Sequence, residues 1–167
     1  MNSKKLFIWG FLFMSVIGTL LHFVYEWSGN NSIVRLFAPW NESTWEHMKL
    51  LFFPMLVLVL FLFFKLPEQS PIPVALSIGT LVGLALIPIL FYTYTGVLGF
   101  SVMAIDIAIF YISVLGAFLI GWFLNDNREL ANRRGLLLTC LVILAILFFI
   151  FSYYPPETVS YTHLRAH

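Results

Sequence analysis

Five long apolar stretches dominate this sequence and leave it few ways to fold. They cover residues 6–27, 44–64, 73–94, 100–124 and 135–154. A bilayer core of about 30 Å requires roughly 20 helical residues, and each stretch meets that length. Because backbone polar groups within lipid must bond to one another, such stretches cross a membrane as helices. The sequence therefore predicts an all-α fold, a polytopic bundle of five transmembrane helices.

Composition excludes a water-soluble fold and a nucleic-acid partner. Hydrophobic residues make up 60% of the 167 residues and charged residues 10%, whereas about a quarter of a soluble domain is charged. The net charge is +1 and no basic run is present, which argues against nucleic acid. The single cysteine, Cys140, excludes an intrachain disulfide. We expect the lipid bilayer to be the main partner. The protein could in addition bind another membrane protein or form a homo-oligomer.

Basic residues in the loops predict the orientation of the bundle, since Lys and Arg favour the cytoplasmic side. With the N-terminus inside, Arg35 and Lys49 lie outside, together with Arg165 near the C-terminus. The inner side then carries a larger set, namely Lys4, Lys5, Lys65, Arg128, Arg133 and Arg134. The prediction is N-in and C-out, in a bacterial cytoplasmic membrane. The segment 35–40, RLFAPW, is interpreted either as an interfacial segment or as a plain loop.

The last residues of the chain differ in character from the rest. The string SYTHLRAH, residues 160–167, resembles the translated read-through of a sequencing adapter. We therefore expect a single membrane-embedded domain over residues 1–157, followed by a non-native tail over 158–167. His163, Arg165 and His167 are accordingly excluded from any site.

Polar and ionisable side chains gather at the predicted outer ends of four helices. Ionisable residues in a span are costly and by default suggest function. Asp106 is expected six residues into its helix, about 9 Å deep at 1.5 Å per residue. His22 and Glu26 share one helical face, because residues four apart are neighbours on a helix. These side chains are predicted to form one pocket, whose members are His22, Tyr25, Glu26, Glu46, His47, Lys49, Tyr94 and Asp106.

Two local patterns have purely structural explanations. The sequence STWE, residues 43–46, matches a capping box in which Ser43 and Glu46 bond each other's backbone amides, with Asn41 as a rival cap. Gly79 and Gly83 follow Ala75 at the small-xxx-small spacing that marks close packing of membrane helices.

Three functions are compatible with the polar cluster. A binding, accessory or structural membrane protein is favoured, and an enzyme is disfavoured. A second interpretation is a small proton-coupled transporter, in which Asp106 and a histidine exchange protons. The third is an intramembrane metal-dependent hydrolase, with water activated near Asp106. Its cofactor would be a divalent metal such as zinc, held by His22, Glu26 and His47, because imidazole and carboxylate are zinc ligands.

Two sequence blocks resemble a known family. HFVYEWSGN, residues 22–30, and APWNESTWEHMKLLFFP, residues 38–54, are similar to segments of small multi-pass membrane proteins from Gram-positive bacteria. That family has no assigned function. The resemblance extends along nearly the whole chain outside the tail. It implies a bacterial integral membrane protein and supports the helical bundle, and it implies no activity, ligand or catalytic residue.

Overall fold

The structure is a computed structural model that describes residues 3–154, and over that range it is helical with no strand. The predicted tail at 158–167 lies outside the described residues. The elements are α1 (Ser3–Trp27), α2 (Val34–Phe37), α3 (Thr44–Lys65), α4 (Ile72–Leu98), α5 (Met103–Leu124), a 3-10 helix (Arg128–Arg133) and α6 (Arg134–Tyr153).

Five of these helical segments are long and apolar enough to span a membrane, which confirms the prediction of an all-α multi-pass protein. They are α1, α3, α4, α5, and α6 together with the preceding 3-10 helix. Large apolar side chains cover the outer surface of the bundle, including Trp9, Phe64 and Phe123, all exposed. Apolar side chains around the bundle fit contact with lipid. The N-in, C-out orientation stays a prediction.

Local sequence signals set the ends of α3 and α4. Ser43 caps α3, and its hydroxyl accepts a hydrogen bond from the amide of Glu46 at 3.3 Å. The amide of Ser43 donates to Asn41 Oδ1 at 2.9 Å, so half of the predicted capping box forms and Asn41 replaces Glu46 in the other half. Gly99 ends α4 in the left-handed conformation, with φ of 81°, which glycine adopts without steric cost.

Small residues bring α4 and α5 into direct backbone contact, as their spacing predicts. A Cβ atom at Gly79 would lie 2.1 Å from the carbonyl oxygen of Ala117, and one at Gly83 would lie 2.9 Å from that of Ser113. Ala75, one turn earlier, is fully buried. The two helices therefore pack too closely to admit a side chain larger than hydrogen at Gly79.

Aromatic rings fill the space between α3 and α6. Phe148 of α6 lies with its ring centroid 4.5 Å from Trp45 and 4.9 Å from Phe52. Phe53 stacks on Phe149 at 5.7 Å. This apolar layer lies beside the first turns of α3, where the sequence places its charged residues, so any charged group on that side of α3 is shielded from water.

Antiparallel packing brings five helix ends together. Side-chain contacts join the last turns of α1 to the first turns of α3, the first turns of α3 to the end of α6, and the end of α4 to the start of α5. We call this the polar end: the C-terminal ends of α1, α4 and α6 and the N-terminal ends of α3 and α5. The predicted polar residues all lie there.

We predict that Gly79→Ala destabilises the protein by about 1–3 kcal/mol, the typical cost of overpacking a closely packed core. Gly96→Ala is the matched control, because Gly96 lies in the same helix and a Cβ there meets no atom within 4 Å. Thermal unfolding in detergent measures both variants. Equal unfolding temperatures for the two variants would contradict the close packing of α4 and α5.

Candidate functional site

The first turns of α3 direct charged side chains to two different sides. Successive residues of a helix are rotated by about 100°, so Glu46 and Lys49 share one side while His47 points to another. Glu46 and Lys49 are buried, with relative exposures of 2% and 0%, and face the end of α6. His47 is half-buried and lies against α1, with its ring centroid 5.3 Å from that of His22.

The ammonium group of Lys49 is fully satisfied by three acceptors from three segments of the chain. Its Nζ donates to Glu46 Oε2 at 2.6 Å, to Ser152 Oγ at 2.5 Å and to the carbonyl oxygen of Arg35 at 2.9 Å. An ammonium has three N–H donors, and each of them has a partner here. We call these four residues the lysine network. It fastens α2 and the end of α6 to the first turns of α3.

Arg35 completes the connection between α2 and α6. Its Nη2 donates to the carbonyl oxygen of Ser152 at 2.6 Å. Its guanidinium lies 3.8 Å from the ring centroid of Trp40 and 5.0 Å from that of Tyr153, close enough for cation–π attraction. The predicted 35–40 segment is therefore a short helix and a turn held against α6.

Asp106 lies less deeply than the sequence predicts. Because α5 begins at Met103 rather than near Phe100, Asp106 falls in its first turn, where the helix dipole stabilises a carboxylate. The hydroxyl of Tyr94 donates to Asp106 Oδ1 and accepts from the amide of Val102 at 3.1 Å. Asp106 therefore has a partner from α4.

His22, Glu42 and His47 form a group that could hold a metal ion. One ligand atom from each lies within 4.8 Å of the other two. One pair, His47 Nε2 and Glu42 Oε2, is 3.3 Å apart. Donor atoms around tetrahedral zinc, with bonds of about 2.0–2.1 Å, lie about 3.3 Å apart. His47 and Glu42 are therefore already at the spacing of two zinc ligands. A small movement would bring the ligand atom of His22 to the same spacing from both.

The backbone holds the ring of His47 with Nε2 directed at Glu42. His47 Nδ1 lies 3.0 Å from the carbonyl oxygen of Ser43. A carbonyl oxygen only accepts hydrogen bonds, so Nδ1 carries the proton and Nε2 is the nitrogen that can bind a metal. Metal-bound histidines commonly have this arrangement, in which the second ring nitrogen donates to a carbonyl or carboxylate.

A cavity of about 100 Å³ lies next to the three residues. Two of the three residues, His22 and Glu42, line it. The cavity is also lined by Tyr25 and Glu26, two residues of the predicted polar cluster. The rest of its wall consists of Phe23, Pro39, Trp40 and Asn41. Glu26, the expected third metal ligand, lines this cavity. Glu42 is the carboxylate that groups with the two histidines.

The structure divides the predicted single pocket into three groups. Glu46 and Lys49 belong to the lysine network, and Tyr94 pairs with Asp106. The remaining residues belong to the group of His22, Glu42 and His47 or line the cavity next to it. Sequence reasoning missed Glu42 and Ser152 as partners. A lone serine in the last apolar turn of α6 was the available signal for Ser152. Glu42 has helical spacing to Glu46 and Lys49 in the sequence, but it lies before the start of α3, so that spacing does not place it on their face.

We predict that Lys49→Met destabilises the protein by about 3–5 kcal/mol, the range for removing one partner of a buried ion pair. The variant leaves the Glu46 carboxylate buried without its cation. The double variant Glu46→Gln, Lys49→Met should recover part of the loss. Lys65→Met, at the exposed far end of α3, is the control. Unfolding in detergent measures all three, and equal stability of the Lys49 and Lys65 variants would contradict the network.

Comparison with known proteins gives a family and no further relative. No curated protein and no solved structure matches the chain. The family match covers residues 1–163, nearly the full length. Its description is a family of unknown function, and it agrees with the resemblance seen in the sequence to an uncharacterised family. The chain belongs to the family of unknown function DUF6512.

Proposed function

We propose that this protein is a metal-binding integral membrane protein, which holds one divalent ion at the polar end of its bundle. The observation that carries the proposal is the convergence of His22, Glu42 and His47, with ligand atoms within 4.8 Å of one another. These residues come from α1, from the segment before α3 and from α3 itself. An ion bound to them would join α1 to α3.

Donor chemistry favours zinc among divalent ions. Two imidazoles and one carboxylate are ligands that zinc commonly takes, whereas calcium and magnesium prefer oxygen donors alone. The orientation of His47 by the Ser43 carbonyl, at 3.0 Å, supports a nitrogen ligand in a prepared position. This is a binding role, the class of function that the sequence favours.

The remainder of the polar cluster supports a structural role. Lys49 and Glu46 bond each other at 2.6 Å, and Tyr94 and Asp106 do likewise across the α4–α5 turn. Charged groups that satisfy one another inside a fold are held in place rather than offered to a ligand. These pairs stabilise the end of the bundle on which the metal position is built.

Proton-coupled transport has less support from the described residues. A transport path requires polar groups that continue through the bundle. Farther along α4, the buried Ser77 and Thr80 already donate to carbonyl oxygens of their own helix, those of Pro73 and Leu76, both at 2.8 Å. These hydroxyls are engaged by carbonyl groups of their own helix rather than by one another.

Loop charge supports an extracytoplasmic position for the site. Lys and Arg concentrate on the opposite side, as the positive-inside rule expects of a cytoplasmic face. With the N-terminus inside a bacterial cytoplasmic membrane, the polar end faces outward. The metal would then be taken from outside the cell.

Zinc content of the purified protein tests the proposal. After chelation and reloading, we expect one zinc ion per chain by mass spectrometry of the metal. We expect zinc affinity to fall at least about 100-fold in each of the variants His22→Ala, His47→Ala and Glu42→Gln. Loss of a residue that only supports a metal ligand already lowers affinity by about 10–100-fold, and loss of a ligand itself should cost more. A tag without histidine is required for purification.

Two controls make the result specific. Glu26→Gln should retain zinc, because Glu42 rather than Glu26 lies beside the histidines. The double variant His163→Ala, His167→Ala removes the histidines of the C-terminal tail from the measurement. A reloaded wild-type protein without zinc overturns the proposal, and zinc loss in Glu26→Gln with retention in Glu42→Gln overturns this ligand set.

A further inference from the structure

We propose that the metal position is a hydrolytic centre, at which Glu26 activates a metal-bound water for attack on an acyl ester of a membrane amphiphile. The inference rests on the proposed metal binding and goes beyond it. It differs from the hydrolase expected from sequence, because Glu26 becomes the base instead of a ligand and Asp106 is engaged by Tyr94.

The donor set indicates an open coordination position. Structural zinc sites are closed by four protein ligands, usually with cysteines, whereas catalytic sites use three and keep one position for water. His22, Glu42 and His47 supply three ligands and no thiolate. Two histidines and one glutamate are the ligands of several zinc hydrolases. Within residues 3–154 no further His, Cys, Asp or Glu joins this group, so the fourth position would be left to solvent or substrate.

The cavity adjoins two of the three proposed ligands. His22 and Glu42 belong both to the ligand group and to the cavity wall. The volume of about 100 Å³ exceeds the roughly 10–15 Å³ that a single water needs. The Glu42 side chain is 81% exposed, so the site is open to exchange with its surroundings. Water and a reacting group both have access to the metal.

Glu26 is the further carboxylate in the cavity wall, which makes it the candidate base. It lies one turn after His22 on the same face of α1 and lines the same cavity. A carboxylate beside a metal-bound water accepts its proton and later returns it to the leaving group. Tyr25 and Trp40, also in the wall, provide aromatic surfaces against which an apolar chain can pack.

The position of the cavity indicates the substrate class. It lies at the end of α1, where Phe23 and Trp27 are exposed, Trp27 by 68%. Tryptophan is enriched at the boundary of membrane and water, which is the depth of the ester groups of amphiphiles. Enzymes with one zinc on such ligands attack carbonyl groups, whereas many phosphate-transferring sites use two metals. An acyl ester is therefore the favoured substrate.

The reaction consumes one water and involves no redox change. His22, Glu42 and His47 would hold the ion, which would make a bound water more acidic. Glu26 would accept one proton from that water, whose oxygen then forms a bond to the acyl carbon. The bond between that carbon and the alcohol oxygen then breaks. The leaving alkoxide takes the proton from Glu26, so the products are a carboxylic acid and an alcohol.

Cobalt substitution tests the open coordination position without measuring activity. We expect the visible absorption of the cobalt-loaded protein to change when acetohydroxamate is added, because the hydroxamate replaces water on the metal. Glu26→Gln should show the same change, since it keeps all three ligands. An unchanged spectrum with cobalt bound overturns this inference and leaves the proposed metal binding intact; failure to bind any metal overturns the proposed function itself.

Hydrolysis of 4-nitrophenyl octanoate in detergent micelles tests the reaction. Zinc-loaded wild-type protein should release nitrophenol, and Glu26→Gln should lower kcat about 10²–10⁴-fold, the usual contribution of a general base, with zinc content unchanged. Glu129→Gln, an exposed carboxylate in the 3-10 helix, is the control. Absence of zinc-dependent hydrolysis, or a wild-type rate in Glu26→Gln, overturns the inference. Hydrolysis of bis(4-nitrophenyl) phosphate in place of the ester overturns the substrate class.

Discussion

The buried ammonium of Lys49 constrains the polar end of the bundle. Its exposure is 0%, and a buried cation costs several kcal/mol unless all its donors are bonded. The three acceptors come from α2, α3 and α6. Each of these segments must therefore lie where it does, and the short α2 is held against α6 although it has only four residues.

The first turns of α3 carry both the buried ion pair and one of the proposed metal ligands, His47. Once Glu46 and Lys49 face α6, the rotation of about 100° per residue directs His47 toward α1. The Ser43 cap that begins α3 also presents the carbonyl that orients the His47 ring, at 3.0 Å. The lysine network thus fixes the rotation of α3 on which the proposed metal site depends. Glu46 and Lys49 are buried, whereas the Glu42 side chain is 81% exposed.

Much of the fold was predictable because it depends on local chemistry. Apolar runs of about 20 residues become spans in lipid wherever they occur, so the five helices follow from the sequence. Ser43 was recognisable as a cap, and Gly79 and Gly83 as contact points of α4 with α5. The start of α5 was misplaced, because the residues from Phe100 to Val102 are mostly apolar but lie outside the helix.

The sequence by itself determined a five-helix membrane protein with its polar side chains gathered at one end. Only the tertiary structure decided which of them meet. Ser152 reaches Lys49 across 103 positions of the chain, a distance over which no periodicity operates. Helical spacing favoured Glu26 as the partner of His22, but Glu42 precedes α3 in an irregular segment whose path is set by packing. Local patterns place residues on faces, and the docking of α1, α3 and α6 brings those faces together.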